Sequence, residues 1–106
     1  MSVYLFDMEG EVIAFRRTWT DPYVFDLNGQ WIGWFPWDDH DAVDRDGHYL
    51  GTVVDDRFVR RNDWYDRPCP AAPAEPGVVH PSGGPLTPHE FPNRFAYEDA
   101  RVHLLA

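Results

Sequence analysis

Two stretches of this chain carry the residue types that hold cations. Asp38-Asp39-His40-Asp41 sets three carboxylates and an imidazole in a row, and Asp44, Asp46 and His48 surround a glycine turn. Carboxylate and imidazole are ordinary ligands for divalent ions. In the first stretch the spacing works against a site, because neighbouring residues of extended chain point in different directions and four in a row do not converge. In the second, Asp44-Arg45-Asp46-Gly47 has the look of a calcium loop, yet position 42 is alanine where that pattern needs an acid, and its distal glutamate is absent. Turn chemistry accounts for Asp46-Gly47 with no ion, and a solvated acidic loop is the preferred reading. If a divalent metal or small molecule is bound, Asp44, Asp46 and His48 are its ligands.

Nucleophilic chemistry has less support. The single cysteine, Cys69, stands between Pro68 and Pro70, where nothing nearby in sequence activates a thiol. The five histidines (His40, His48, His80, His89 and His103) share no catalytic spacing. There is no Gly-x-Ser-x-Gly elbow, no phosphate-binding loop and no His-Glu-x-x-His. No catalytic residue is assigned, no cofactor is called for, and a non-enzymatic role is expected.

The aromatic residues are the stronger candidates for function. Tyr23, Trp31, Trp34 and Trp37 fall close together, with Phe35 among them. Packing between neighbouring elements is the plain reading of such a group. The sharper one is a binding surface, since Trp, Tyr and Arg are enriched at interface hot spots. Aromatic grooves also accept polyproline segments, and this chain carries one of its own.

What must position these residues is a repeat. Leu5-Phe6-Asp7-Met8-Glu9-Gly10-Glu11-Val12-Ile13-Ala14 is its first copy, Val24-Phe25-Asp26-Leu27-Asn28-Gly29-Gln30-Trp31-Ile32-Gly33 its second, and Ala42-Val43-Asp44-Arg45-Asp46-Gly47-His48-Tyr49-Leu50-Gly51 its third. The turn glycines Gly10, Gly29 and Gly47 stand 19 and 18 residues apart. Each copy reads as a β-hairpin, with Asn-Gly and Asp-Gly as strong two-residue turn signals. A two-residue turn predicts that Phe6 faces Ile13, Phe25 faces Ile32 and Val43 faces Leu50 in one shared core. It also pairs Leu5 with Ala14, Val24 with Gly33 and Ala42 with Gly51. The small second member of those pairs predicts a close approach to the backbone there. Asp7, Asp26 and Asp44 precede each turn and are expected to accept turn amides. A ring of carboxylates is the functional alternative. Short polar linkers join the hairpins, a further extended segment follows over 52–61 with a turn at Asp55-Asp56, and almost no helix is expected.

The bulk properties set outer limits. A chain of 106 residues is one small domain, able to bury roughly two thirds of its unfolded surface. Eighteen acidic residues against nine arginines give a net charge of −9, which repels phosphate backbones and anionic lipid. Nucleic acid and membrane are therefore not expected as partners. No apolar leader precedes the first repeat, and a cytoplasmic location is expected. Eight of the ten prolines lie from Pro68 to Pro92. The division read from this is a hairpin-repeat β domain over 1–67, a Pro-rich strap or solvated tail over 68–92, and a C-terminal strand over 93–106 that completes the β domain.

Trp31-Ile32-Gly33-Trp34-Phe35 after the Asn28-Gly29 turn, the Asp44-to-Gly51 copy, the Pro-rich segment and the closing Tyr97-Glu98-Asp99 together resemble the bacterial four-fold β-flower family. The resemblance implies hairpin petals around a pseudo-four-fold axis, and it implies no activity, cofactor or catalytic residue. Only three copies of the template are legible. The fourth is either a degenerate copy over 56–64 or the work of the C-terminal segment. The expected fold is all-β, with tandem short hairpins in a pseudo-symmetric flower and a Pro-rich C-terminal extension. The expected role is a small interaction or assembly module, acting on a protein partner or on a second copy of itself. An enzyme or a metal or small-molecule binder is the alternative.

Overall fold

A computed structural model describes residues 2–64, 67–81 and 83, together with the backbone of Tyr97–Asp99. The strands are β1 (Val3–Phe6), β2 (Val12–Arg16), β3 (Tyr23–Phe25), β4 (Trp31–Trp34), β5 (Asp41–Asp44), β6 (Tyr49–Val54), β7 (Arg57–Arg61) and β8 (Tyr97–Asp99). No helix occurs among the described residues. The rest of the stretch to Pro92 and of 93–106, with His89 and His103, lies outside the described residues.

Sequential strands pair antiparallel from β1 through β8, and β1 pairs parallel with β7. The Phe6 amide donates to the Asp56 carbonyl at 2.8 Å at that junction. The seven strands β1–β7 thus close into a barrel, which covers the edges that an open sheet of this size leaves unpaired. The three template copies form the hairpins β1–β2, β3–β4 and β5–β6. β6 continues through Asp55-Asp56 into β7, and β8 pairs along β7 from Arg61↔Tyr97 to Val59↔Asp99. The fourth hairpin is therefore β7–β8, its two strands separated by residues 62–96.

The turns differ from the two-residue form. The Gly10 amide donates to the Asp7 carbonyl at 3.2 Å, and the Asp7 amide to the Glu11 carbonyl at 2.8 Å, leaving a three-residue loop. The same two bonds recur at Asp26 with Gly29 and Gln30, and at Asp44 with Gly47 and His48. Gly10, Gly29 and Gly47 have φ of 88°, 83° and 91°, while Glu9, Asn28 and Asp46 have negative φ. A type I′ turn needs positive φ at both central residues, so this is the three-residue loop closed by a left-handed glycine.

A second irregularity follows in each hairpin. Leu5↔Ala14, Val24↔Gly33 and Ala42↔Gly51 pair as expected, but Phe6 pairs with Val12, Phe25 with Trp31 and Val43 with Tyr49. Ile13, Ile32 and Leu50 are the extra residues. A bulge at each swings that side chain toward Leu5, Val24 and Ala42 inside the barrel. Phe25 and Val43 fall instead on the outer face. The shared core predicted for Phe25–Ile32 and Val43–Leu50 is thus split between two faces by one residue of slip, and Phe6 faces Val12 in place of the predicted Ile13.

The inner cluster holds Leu5, Ala14, Val24, Phe35, Ala42, Leu50, Val53 and Phe58. Its small members sit where strands crowd. A Cβ on Gly33 would lie 2.3 Å from the Val43 carbonyl oxygen and 2.8 Å from Leu50 Cδ2. The neighbouring hairpin is what approaches the backbone at this position of the template.

Candidate functional site

The outer face of the hairpins is aromatic. Phe15, Phe25, Trp31, Trp34 and Val43 are its buried members, and Tyr4, Tyr23 and Trp37 flank them. Phe15 and Phe25 stack with centroids 5.3 Å apart, and Tyr23 meets Trp31 edge-on at 5.8 Å. Such a face cannot be left to water without a large cost, and here residues 67–81 and Gly83 lie over it.

The covering segment crosses the hairpins in reverse order. At the third, Cys69 packs on the aromatic cluster and would meet a Cβ on Gly47 at 3.6 Å; Arg45 pairs with Glu75 at 3.3 Å. At the second, Tyr23 donates its hydroxyl to the Ala74 carbonyl at 2.9 Å, and the Val79 amide donates to the Gly29 carbonyl at 2.9 Å. At the first, the Tyr4 hydroxyl donates to the Gly83 carbonyl at 2.6 Å. The Trp37 indole N–H donates to the Pro68 carbonyl at 3.0 Å where the segment begins. Three aromatic donors thus hold carbonyls of a chain whose prolines have no N–H to pair.

The four aromatic residues singled out in the sequence all belong to this face. Tyr23 and Trp37 bond the strap. Trp31 is buried, donates to the Gly33 carbonyl at 2.7 Å and carries the Arg45 guanidinium 4.9 Å above its ring. Trp34 is buried beside them, and its indole N–H has no hydrogen-bond partner among the described residues.

The repeated aspartates are turn acceptors. Asp7 Oδ1 accepts the amides of Glu9 and Glu11, both at 2.9 Å. Asp26 Oδ1 accepts those of Asn28 and Gln30 at 2.9 Å, and Asp44 Oδ1 those of Asp46 and His48 at 2.9 and 3.0 Å. Ligand atoms of Asp44, Asp46 and His48 do come within 4.8 Å of one another. His48 Nδ1 stands 3.7 Å from Asp44 Oδ2, and both Asp46 and His48 are exposed. The same turn geometry holds at Asp7 and Asp26, where no histidine is present.

The Asp38–Asp41 stretch, rejected above as a metal site, has a partner of another kind. Asp39 and Asp41 receive the guanidinium of Arg67. Trp64 adds a further aromatic wall, stacked on Tyr49 at 4.0 Å and tilted against Trp37 at 5.7 Å. Sequence reading missed this group because Arg67 lies far along the chain from Asp39. The only signal was the coincidence of a carboxylate run with an arginine opening the Pro-rich stretch.

Asp21, Tyr49 and Cys69 are among the ionisable groups displaced by their surroundings. Burial alone raises the Asp21 carboxyl, but hydrogen bonds from the Arg17 side chain and from the Tyr23 and Arg17 amides more than reverse it, leaving it below the usual range. Burial pushes the Tyr49 phenol up. Burial also raises the Cys69 thiol, and the Asp44 carboxylate adds to the rise.

A small closed β-barrel of three like hairpins and a split fourth, with an extended segment laid over its aromatic face, defines the class. The chain belongs to the family described as 4-fold beta flower protein, whose model matches residues 1–96. No curated protein and no solved structure matches it. Among the described residues no helix is long and apolar enough to cross a membrane.

Proposed function

We propose that this protein is a small non-enzymatic interaction or assembly module of the cytoplasm, whose aromatic face holds an extended proline-rich chain. The observation that supports this reading is the row of Tyr4, Tyr23 and Trp37 donors bonded to the Gly83, Ala74 and Pro68 carbonyls. Aromatic-lined grooves take polyproline chains in this way, because such a chain keeps its carbonyls free and loses little entropy on docking. The chain's own strap fills the face. A protein partner or a second copy presenting the same segment is the occupant in assembly. Nucleic acid and membrane do not fit its acidic surface.

The test keeps the barrel whole. Residues 68–79 are replaced by a glycine-serine linker of equal length, so β7 and β8 stay joined. The uncovered face is expected to self-associate, raising the light-scattering mass above that of the intact chain. An unchanged mass in a folded variant would count against the reading.

A second reading rests on the approach of Asp44, Asp46 and His48. A divalent cation bound there raises the melting temperature of the intact protein and not of D44N/D46N. Indifference to calcium, zinc and chelator ends it.

A further inference from the structure

Arg67 opens the strap and ends in a cage built by the barrel and its flank. Its Cζ lies 3.7 Å from the centre of the Trp37 ring and 5.8 Å from that of Trp64. NH1 donates to Asp39 Oδ2 and to Asp41 Oδ2, each at 3.1 Å, and NH2 donates to Asp39 Oδ2 at 3.1 Å. The guanidinium therefore lies against an indole while its edge reaches two carboxylates.

The Asp41 carboxylate has partners within the barrel besides Arg67. Its side chain is 6% exposed, and Oδ1 accepts the Thr52 hydroxyl at 2.7 Å. The Thr52 hydroxyl in turn meets the Tyr49 hydroxyl at 2.5 Å, and that oxygen accepts the Arg61 amide at 2.9 Å. Arg61 NH1 also stands 3.8 Å from Asp41 Oδ2, but Arg61 is shared with Asp63 at 3.6 Å. Asp41 thus shares one barrel cation with Asp63, and the positive charge that reaches both Asp39 and Asp41 comes from the strap. A buried carboxylate stripped of that charge is costly, which makes the vacancy selective for a cation.

Trp37 touches two successive residues of the strap. Its ring carries Arg67 and its N–H holds the Pro68 carbonyl at 3.0 Å. A residue before proline is held extended, so an Arg-Pro step presents guanidinium and carbonyl in a set relation.

From this geometry we propose that Trp37, Trp64, Asp39 and Asp41 form a recognition site for an arginine followed by proline, with Arg67–Pro68 as its resident ligand. The proposal rests on reading the aromatic face as a surface for extended proline-rich chain, and it names what gives that surface its specificity. Lysine is disfavoured by shape. An ammonium is a compact, strongly hydrated point charge that cannot lie flat on the indole and span both carboxylates at once.

R67Q in the full chain empties the cage and leaves the Tyr23–Ala74 and Gly29–Val79 anchors in place. Added N-acetyl-arginyl-proline amide is expected to give a saturable change in tryptophan fluorescence of R67Q. The lysyl counterpart should bind about tenfold more weakly, as should the arginyl probe to the intact chain, whose site is filled. D41N added to R67Q abolishes the response. Should R67Q lose its fold, R67K keeps the charge, and the same titration is run on it with the same order of affinities expected. A folded variant that ignores the arginyl probe, or takes the lysyl probe equally well, overturns the proposal. If that folded barrel with its strap replaced still captures a peptide of residues 67–79, the reading of the aromatic face survives without the cage.

Discussion

The Gly29 carbonyl accepts the Val79 amide at 2.9 Å, joining the tip of the second hairpin to the strap. A Cβ on Gly29 would stand 2.2 Å from the Val79 carbonyl oxygen, and the residue has φ of 83°. Gly47 occupies the matching turn with φ of 91° but would meet nothing closer than Cys69 Sγ at 3.6 Å. Both substitutions to alanine carry left-handed strain of about 1 kcal/mol. G29A alone must also push the strap away. Chemical denaturation should therefore show a larger loss for G29A than for G47A.

The turn aspartates give a graded prediction. D26A removes one oxygen that accepts two amides at an exposed turn and should cost about 1–2 kcal/mol in urea unfolding. D7A should cost more, because Asp7 is 1% exposed and nothing replaces its oxygen from solvent. Equal losses at the two positions would contradict this account of the turns.

These same residues mark how far the sequence could be read. The hairpins, their glycines and the pairs Leu5–Ala14, Val24–Gly33 and Ala42–Gly51 follow from turn chemistry and period-two alternation. The bulges at Ile13, Ile32 and Leu50 do not, because a bulge inserts a residue without changing composition. That slip moved Phe25 and Val43 to the outer face and so decided which residues the strap covers. The fourth hairpin was hidden for another reason: its strands β7 and β8 are separated by residues 62–96. The Arg67 cage is a long-range meeting of common residue types, which no local pattern encodes.

Asp21 makes the fold acid-sensitive. Its carboxyl is held below its ordinary value in the native state, largely by Arg17 and two amides acting against burial. The stabilisation is complete above the unfolded pKa near 4 and is lost as pH falls through the lower folded value. Melting temperature should decline over that interval in the intact protein and decline less in D21N.

The Cys69 thiol reports on strap docking. Burial and the Asp44 carboxylate hold its pKa above that of a free thiol, so little thiolate is present at neutral pH. Iodoacetamide should react more slowly with native protein than with unfolded chain at pH 7, and the midpoint of the pH–rate profile should lie higher. D44N should lower that midpoint, and G29A should speed the reaction by freeing the strap.

The central claim is that the aromatic face of the barrel binds an extended proline-rich chain. Calorimetric titration of the strap-replaced protein with a peptide of residues 67–79 tests it most directly. The account predicts saturable one-to-one binding, weakened by W37F or Y23F and absent with the intact chain. A folded barrel that takes up no peptide would contradict it and reduce the face to internal packing.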